Sequence, residues 1–108
     1  MNPRIESLEK MLNGPRDGAL LRFSLGNEYL KAGEPLTAGK YFQDAVDRDQ
    51  NYSAAWKALG KSLTESGMHA EALTVFERGI TVAEAHGDIQ AAKEMKVFAK
   101  RAKTATST

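Results

Sequence analysis

An internal repeat with a spacing of 34 residues constrains the fold of this chain more than any other feature of its sequence. The stretch LGNEYLKAG, residues 25–33, aligns with LGKSLTESG, residues 59–67. The same shift brings further small and aromatic residues into register, pairing Ala38 with Ala72, Phe42 with Phe76, and Ala45 with Gly79. Self-similarity at one fixed period indicates a fold built from stacked units. The chain is therefore predicted to contain two copies of one structural unit.

Each copy is predicted to form two helices with a glycine between them. In the second copy, two stripes have the spacing of one buried helical face; they are Trp56, Leu59, Gly60 and Leu63, then Ala72, Val75, Phe76 and Gly79. Gly67 lies between the stripes, where a left-handed glycine ends a helix. In the first copy Gly33 has that place, and Pro35 suits the first turn of the following helix.

Two further glycines fall inside predicted helices, where each costs about 1 kcal/mol relative to alanine. Gly26 and Gly60 are expected to let the two helices of a copy cross closely, opposite Ala38 and Ala72. The aromatic residues 42 and 76 would fill the space beside each crossing. Contact between helix backbones would then offset the cost of the glycines.

These residues resemble the tetratricopeptide repeat family, whose 34-residue pattern is W-x2-L-G-x2-Y, then A-x3-F and a closing proline. The second copy supplies every one of these positions except the tyrosine, which is Leu63, and the proline, which is Glu84. The first copy has Tyr29 but carries Arg22 in place of tryptophan and Gln50 in place of the proline. The resemblance implies an all-α fold, a right-handed α-α superhelix of helical hairpins with about six helices.

The flanking sequences are predicted to be helical caps on the two repeats. We expect one domain over residues 1–103, followed by a disordered tail at 104–108. Its parts are an N-terminal capping helix in 1–14, repeat 1 in 19–52, repeat 2 in 53–86, and a C-terminal capping helix in 88–103. Asn2 with Pro3 is a favourable helix start, and Asp88 can cap the final helix. Without a closing proline, the second helix of repeat 2 is expected to continue to Gly87.

Composition excludes several classes of protein. A chain of 108 residues has the length of one domain, and its net charge of +1 gives no overall attraction to nucleic acid or anionic lipid. Cysteine is absent, so disulfides and thiolate metal sites are excluded. No apolar run approaches the roughly 20 residues needed to span a membrane, and no secretory signal is recognisable at the start. We therefore expect a cytoplasmic protein without membrane association.

The first helices of stacked repeats line a concave surface, and this surface is the candidate binding site. Its predicted residues, on the side opposite the buried stripe, are Leu20, Phe23, Asn27, Leu30, Lys57, Lys61 and Thr64. The final helix would add Ala91, Met95 and Phe98. The residues from the first helix are mostly apolar, which admits two interpretations. Either the chain's own ends or a tight curvature cover them, or they accept apolar groups of a partner.

Lys57 and Lys61 are four residues apart and therefore share one side of a helix, where like charges repel. An anionic ligand between them would reverse that repulsion, and Asn27 would lie one repeat away. Some members of the family clamp a partner's terminal carboxylate with lysine and asparagine at such groove positions. Asn27, Lys57 and Lys61 resemble that clamp in part. Phe23 departs from that clamp, since it stands where a cation would be expected. The alternative is that the paired lysines are simply a solvated face.

An enzyme is not predicted, and neither a cofactor nor a metal site is expected. His69 and His86 lack metal-ligand spacing and are expected to be surface or capping residues. No serine has an elbow motif, and no glycine pattern matches a phosphate-binding loop. Nucleic acid is disfavoured as a partner, although four lysines, at 93, 96, 100 and 103, follow one side of the last helix. Cations near a helix C-terminus also suit the helix dipole, which is the simpler account of that basic stretch.

The sequence thus predicts a non-catalytic adaptor that binds a peptide or helix of another protein. The paired lysines favour acidic groups, and the partial resemblance to the family's carboxylate clamp implies a preference for C-terminal carboxylates. The alternative is self-association, because about three repeats are usually needed for stability and this chain has two whole ones. A homodimer could bury the surplus apolar surface of the first helix.

Overall fold

A computed structural model describes residues 2–107. Its six helices are α1 (Pro3–Glu9), α2 (Ala19–Lys31), α3 (Pro35–Arg48), α4 (Ser53–Glu65), α5 (His69–Ala85) and α6 (Ile89–Thr106). Each helix packs against the next one in sequence, and α4 also contacts both α2 and α6. The molecule measures 41 × 30 × 18 Å, and its shortest dimension is about two helix diameters. Helices α2, α4 and α6 thus form one layer beside α3 and α5, and the predicted all-α hairpin architecture is confirmed.

Glycine ends three of the helices in the same way. Gly33, Gly67 and Gly87 have φ angles of 80°, 78° and 73°, in the left-handed region that glycine reaches without strain. After the first two of them, the amide of Glu34 donates to the Tyr29 carbonyl at 3.0 Å and that of Met68 to the Leu63 carbonyl at 2.8 Å. These bonds satisfy carbonyls that the helix end would leave unpaired. The two hairpins therefore turn alike, as the repeated glycines predicted.

The two glycines inside the helices make room for an aromatic ring. A Cβ atom built on Gly26 would lie 2.5 Å from Cε1 of Phe42, and one on Gly60 would collide with the Phe76 ring. No backbone atom of the neighbouring helix is among these nearest contacts. The atoms nearest each glycine therefore belong to an aromatic ring and not, as expected, to the backbone of the neighbouring helix. The glycines open a slot into which the phenylalanine of the same repeat inserts, and both rings are fully buried there.

The terminal helices differ in extent from their predicted ranges. The side chain of Asn2 accepts hydrogen bonds from the amides of Arg4 and Ile5, as its position suggested. However, α1 ends at Glu9, and turns lead from there to Asn13, whose φ is 65°. At the other end, α6 runs to Thr106, beyond the predicted boundary at residue 103. Hydroxyl groups of its last turn donate to its own carbonyls, at residues 100 and 103, and so support the final turn.

The buried apolar residues form three clusters along the stack. One joins α3 to α4, a second joins α5 to α6, and a third holds α1 on α2 through Ile5, Leu21 and Leu25. The third contact is reinforced where the Tyr29 hydroxyl donates to Oε2 of Glu9 at 2.8 Å. That bond and burial raise the pKa of Tyr29 to about 12. Helix α1 therefore caps the stack by covering one face of α2.

The position at which the pattern calls for tryptophan is occupied differently in the two repeats. Trp56 packs between the clusters on either side of α4, and its Nε1 donates to the Gln50 carbonyl at 2.9 Å. Arg22, its counterpart, instead binds Asp17 at 2.7 Å and Asp44 at 3.2 Å. The hydrogen bond from the guanidinium holds the pKa of Asp17 well below its usual range. An ion-pair network thus substitutes for aromatic packing in repeat 1.

None of the helices in residues 2–107 combines the length and the apolar character required to cross a bilayer.

Candidate partner-binding groove

The layer formed by α2, α4 and α6 carries all seven residues predicted to bind a partner, and we call its exposed side the inner face. The repeat places them at matching helical positions, so that Leu20, Phe23, Asn27 and Leu30 of α2 are followed by Lys57, Lys61 and Thr64 of α4. Because α4 contacts both α2 and α6, the face is continuous across three helices. Its chemistry changes along the stack, from apolar on α2 to charged on α4 and α6.

On α2, the chain itself covers much of the predicted apolar surface. The ring of Phe23 lies 4.9 Å from that of Tyr52 and 5.7 Å from that of Phe42, measured between centroids. Leu30 packs against the same cluster, whereas Leu20 keeps 69% of its surface exposed. Asn27 is half-buried. Two of the three apolar residues therefore extend the core, but α3 and the residues next to α4 cover them, and not the chain's own ends.

On α4, the two predicted lysines have different surroundings. Lys57 pairs with Glu94 of α6, with 3.0 Å between Nζ and Oε1. Lys61 is exposed, and none of the carboxylates in residues 2–107 forms an ion pair with it. Its Nζ instead lies 5.9 Å from the centroid of the Phe98 ring. One lysine of the pair is therefore already neutralised within the chain, and the other remains available.

The third predicted residue of α4 has its hydroxyl group occupied. Oγ1 of Thr64 donates to the Gly60 carbonyl at 2.9 Å, one turn earlier in the same helix. Thr64 is exposed and forms part of the lining of a cavity.

The cavity lies between the C-terminal half of α4, the start of α5 and the second half of α6. It has a volume of about 280 Å³ and is lined by Lys61, Thr64, Glu65, His69, Phe76, Phe98, Arg101, Ala102 and Ala105. Its floor is apolar, since the rings of Phe76 and Phe98 pack with centroids 5.5 Å apart. The opening leads to the inner face, where two predicted residues, 61 and 64, form part of the rim. The repeat pattern predicted these two rim residues, whereas nothing in the periodicity indicated the cavity behind them.

Two cations approach the same aromatic ring at the cavity. Lys61 Nζ and the Cζ atom of Arg101 each lie 5.9 Å from the centroid of Phe98, at the outer limit of a cation–π contact. Glu65 is the one acidic residue in the lining. The cavity therefore combines an apolar interior with a rim on which positive charge outnumbers negative charge.

His69, at the start of α5, forms part of the wall. Its Nδ1 is buried and has no hydrogen-bond partner among the described residues. We expected His69 to be a surface or capping residue, and its position in a cavity wall differs from that expectation. His86, by contrast, is exposed and places its Nδ1 3.1 Å from the Val82 carbonyl at the end of α5.

Helix α6 contributes to the inner face differently from what its sequence suggested. Met95 was expected on this face but is fully buried, because it packs where Gly79 of α5 has no side chain. Ala91 is buried as well, with 7% of its surface exposed. Of the three α6 residues predicted there, only Phe98 reaches the cavity. Residues 98, 101, 102 and 105 share one helical side, a spacing that could have identified Arg101 and Ala105 in advance.

A second depression lies on the opposite layer, between α3 and α5. Its volume is about 360 Å³, and Leu36 and Met68 on its border are 63% and 38% exposed. The charged residues in its lining, Lys40 and Glu71, balance each other.

No cluster of three or more potential metal ligands of the histidine, cysteine or carboxylate type occurs in residues 2–107.

Comparison with known proteins gives the same architecture. No protein-family model matches the chain. A TPR repeat-containing protein of Pseudomonas aeruginosa is 48% identical over 97 residues, which cover 90% of this chain and 92% of that protein. A Bordetella parapertussis protein solved in solution superposes with a TM-score of 0.81 at 39% identity, over 96% of this chain and 90% of its own. A tetratricopeptide repeat domain protein of Salinibacter ruber shares the fold, with a TM-score of 0.77 at 24% identity, over 89% and 96% of the two chains.

Proposed function

Because the chain belongs to the tetratricopeptide repeat family, we propose that it is a non-catalytic adaptor that binds a peptide or helix of a partner protein on its inner face. Helical repeats of this kind present extended surfaces whose variable residues select a partner. The packing positions that the two repeats share lie in the core and leave the groove positions free to differ. The proposed partner segment carries acidic or C-terminal carboxylate groups, and the adaptor works in the cytoplasm.

The observation that carries this proposal is the environment of Lys61. Its ammonium group is exposed beside Phe98 at the mouth of an apolar cavity, so a partner could offer a carboxylate and an apolar group at one place. Lys57 acts with it once a partner's carboxylate competes with Glu94 for that ammonium. A pair whose side chains are 30% and 41% exposed is weak enough to exchange. Asn27 and the exposed Leu20 extend the contact along α2.

Charge reversal tests the proposal. Lys57→Glu combined with Lys61→Glu should reduce capture of the partner from a native cell extract by about ten-fold or more, because it places repulsive charge where the carboxylate binds. A matched control, Lys10→Glu with Lys40→Glu, makes the same change in net charge on exposed residues outside the inner face. Circular dichroism should show both variants folded, with the first melting slightly lower because it loses the ion pair between Lys57 and Glu94. Undiminished capture by the first variant, or an equal loss in the control, would contradict the proposal.

Self-association is the second candidate, and the border of the depression between α3 and α5 favours it. Leu36 and Met68 are exposed apolar residues at the starts of these two helices. A homodimer through this surface would bury both. Sedimentation at about 10 μM decides between monomer and dimer, and Leu36→Ser with Met68→Ser should dissociate such a dimer. A monomer in the unmodified protein would remove this candidate.

A further inference from the structure

We propose that the cavity between α4, α5 and α6 is a specificity pocket, which takes one apolar side chain of the partner segment while Lys61 and Arg101 bind an adjacent carboxylate. The inference rests on the proposed function and deepens it, since it names the part of the inner face that anchors the partner. The occupant is a segment of another protein in which an aromatic or large aliphatic residue neighbours an aspartate or glutamate.

The size of the cavity sets the size of the group that enters. Its volume of about 280 Å³ is just below the range of roughly 300–1,000 Å³ found for small-molecule pockets. A single side chain fits that space, whereas a whole helix does not. Phe76 and Phe98 provide an apolar floor, and burying an aromatic side chain against them removes a large area from water. The pocket therefore favours a large apolar side chain over a small one.

Small residues on α6 keep the pocket open. Ala102 lies in the wall and is buried, whereas Ala105 lies at the exposed edge. At the equivalent place on repeat 1, residue 30 is a leucine that packs into the core, where repeat 2 has Thr64. Leu30 therefore fills this position in repeat 1, whereas the shorter side chain of Thr64 leaves space at the equivalent position in repeat 2.

Charge complementarity selects the group next to the apolar side chain. Lys57 and Lys96 are paired with Glu94 and Glu84, but Lys61 and Arg101 are not in ion pairs within the described residues. Both cations line the cavity and lie 5.9 Å from the Phe98 centroid, so a carboxylate bound by either of them stays close to the apolar floor. Glu65 is the single opposing charge in the lining. The depression between α3 and α5 has no such excess and offers no comparable anchor.

Blocked dipeptides test the pocket without knowledge of the partner. Acetyl-Phe-Asp-amide should shift backbone amide NMR signals of Thr64, Phe98 and Ala105 in a saturable manner. Acetyl-Phe-Asn-amide and acetyl-Ala-Asp-amide should each bind at least about three-fold more weakly, because one lacks the charge and the other the apolar group. Equal binding of all three, shifts mainly at Leu36 and Met68, or no saturable shifts would overturn the proposal.

A variant that fills the pocket tests the assigned site, and the same substitution elsewhere on the surface is its matched control. Ala105→Trp should abolish these shifts with little change in melting temperature, because residue 105 is exposed. Ala85→Trp, at the exposed end of α5, should leave them unchanged. Persistent binding by Ala105→Trp would contradict the assigned site. Phenylacetate is titrated as a last ligand in the same experiment. If it binds in the pocket while the blocked dipeptides do not, the occupant is a free small acid and the proposal fails.

Failure of the pocket is distinguishable from failure of the proposed function. If the dipeptides do not bind but the charge-reversed variant still loses its partner, the inner face remains the binding surface and only the anchoring inference is wrong. If capture is also insensitive to charge reversal, both proposals are wrong.

Discussion

The two repeats have the same backbone plan but use their variable positions in different ways. In each, a glycine of the first helix receives a phenylalanine of the second, and a left-handed glycine ends the first helix. On the inner face, repeat 1 is filled by Phe23 and Leu30, whereas repeat 2 presents Lys61 beside an open cavity. The residues that build the hairpin are thus separate from those that give it a surface chemistry. One fold can therefore carry a core-like face and a binding face side by side.

The strongest test of this equivalence concerns the two glycines that receive aromatic rings. Gly26→Ala and Gly60→Ala should each lower the free energy of unfolding by about 1–2 kcal/mol, because overpacking outweighs the gain in helix propensity. The control is Gly39→Ala, where a Cβ would meet Ser62 Cβ at an ordinary 3.8 Å. That substitution should stabilise the protein by up to about 1 kcal/mol. Urea unfolding measures all three.

A double-mutant cycle makes the same comparison more specific. Phe42→Leu should recover part of the loss caused by Gly26→Ala, and Phe76→Leu part of that caused by Gly60→Ala, since each shortens the side chain that collides. Additive effects in one repeat and coupling in the other would show that the two crossings are not equivalent.

The next prediction concerns the pH dependence of stability, which should differ between the Arg22 ion pair of repeat 1 and the Trp56 packing of repeat 2. The pKa of Asp17 is lowered in the folded state, first by its hydrogen bond from Arg22 and then by the Asn13 amide. A lowered pKa stabilises the fold fully above the unfolded value of about 3.9, and this stabilisation is lost as the pH falls toward the folded value. Asp17→Asn should therefore melt below the unmodified protein at about pH 5, and the two melting temperatures should converge toward about pH 2.

The indole of Trp56 has no charge to lose in this range. Trp56→Phe should lower the melting temperature by a similar amount at both pH values, as expected for packing. Parallel pH curves for the unmodified protein and Asp17→Asn would contradict the role given to the ion pair in repeat 1.

The smallest expected effect concerns Lys57 and Glu94, the pair that joins repeat 2 to α6. A double-mutant cycle with Lys57→Ala and Glu94→Ala should give a coupling of about 0.2–1 kcal/mol that decreases in high salt. The more exposed pair of Lys96 with Glu84, at 56% and 51%, is the control and should couple less. A coupling well above this range would mean that Lys57 is held too firmly to exchange its partner.

The sequence by itself determined the two hairpins and the ends of their helices, whereas it gave the extents of the terminal helices only approximately. Those features depend on residues within one turn or one repeat of each other, such as Gly33 beside Pro35, or Gly60 sixteen residues before Phe76. Periodicity reports such local relations directly. It also predicted the inner face, because equivalent residues of two repeats lie on the same side of the stack.

Only the tertiary structure decided what that face contains. The partner of Lys57 is 37 residues away, and the cavity exists because α6 turns Met95 toward Gly79 while leaving Ala105 at its edge. These outcomes depend on the rotation and spacing of α6 against α4 and α5, and they lie outside the 34-residue period because α6 repeats neither helix in sequence. A pattern fixes which residues share a helical side, whereas packing between helices decides which of them are buried, paired or free.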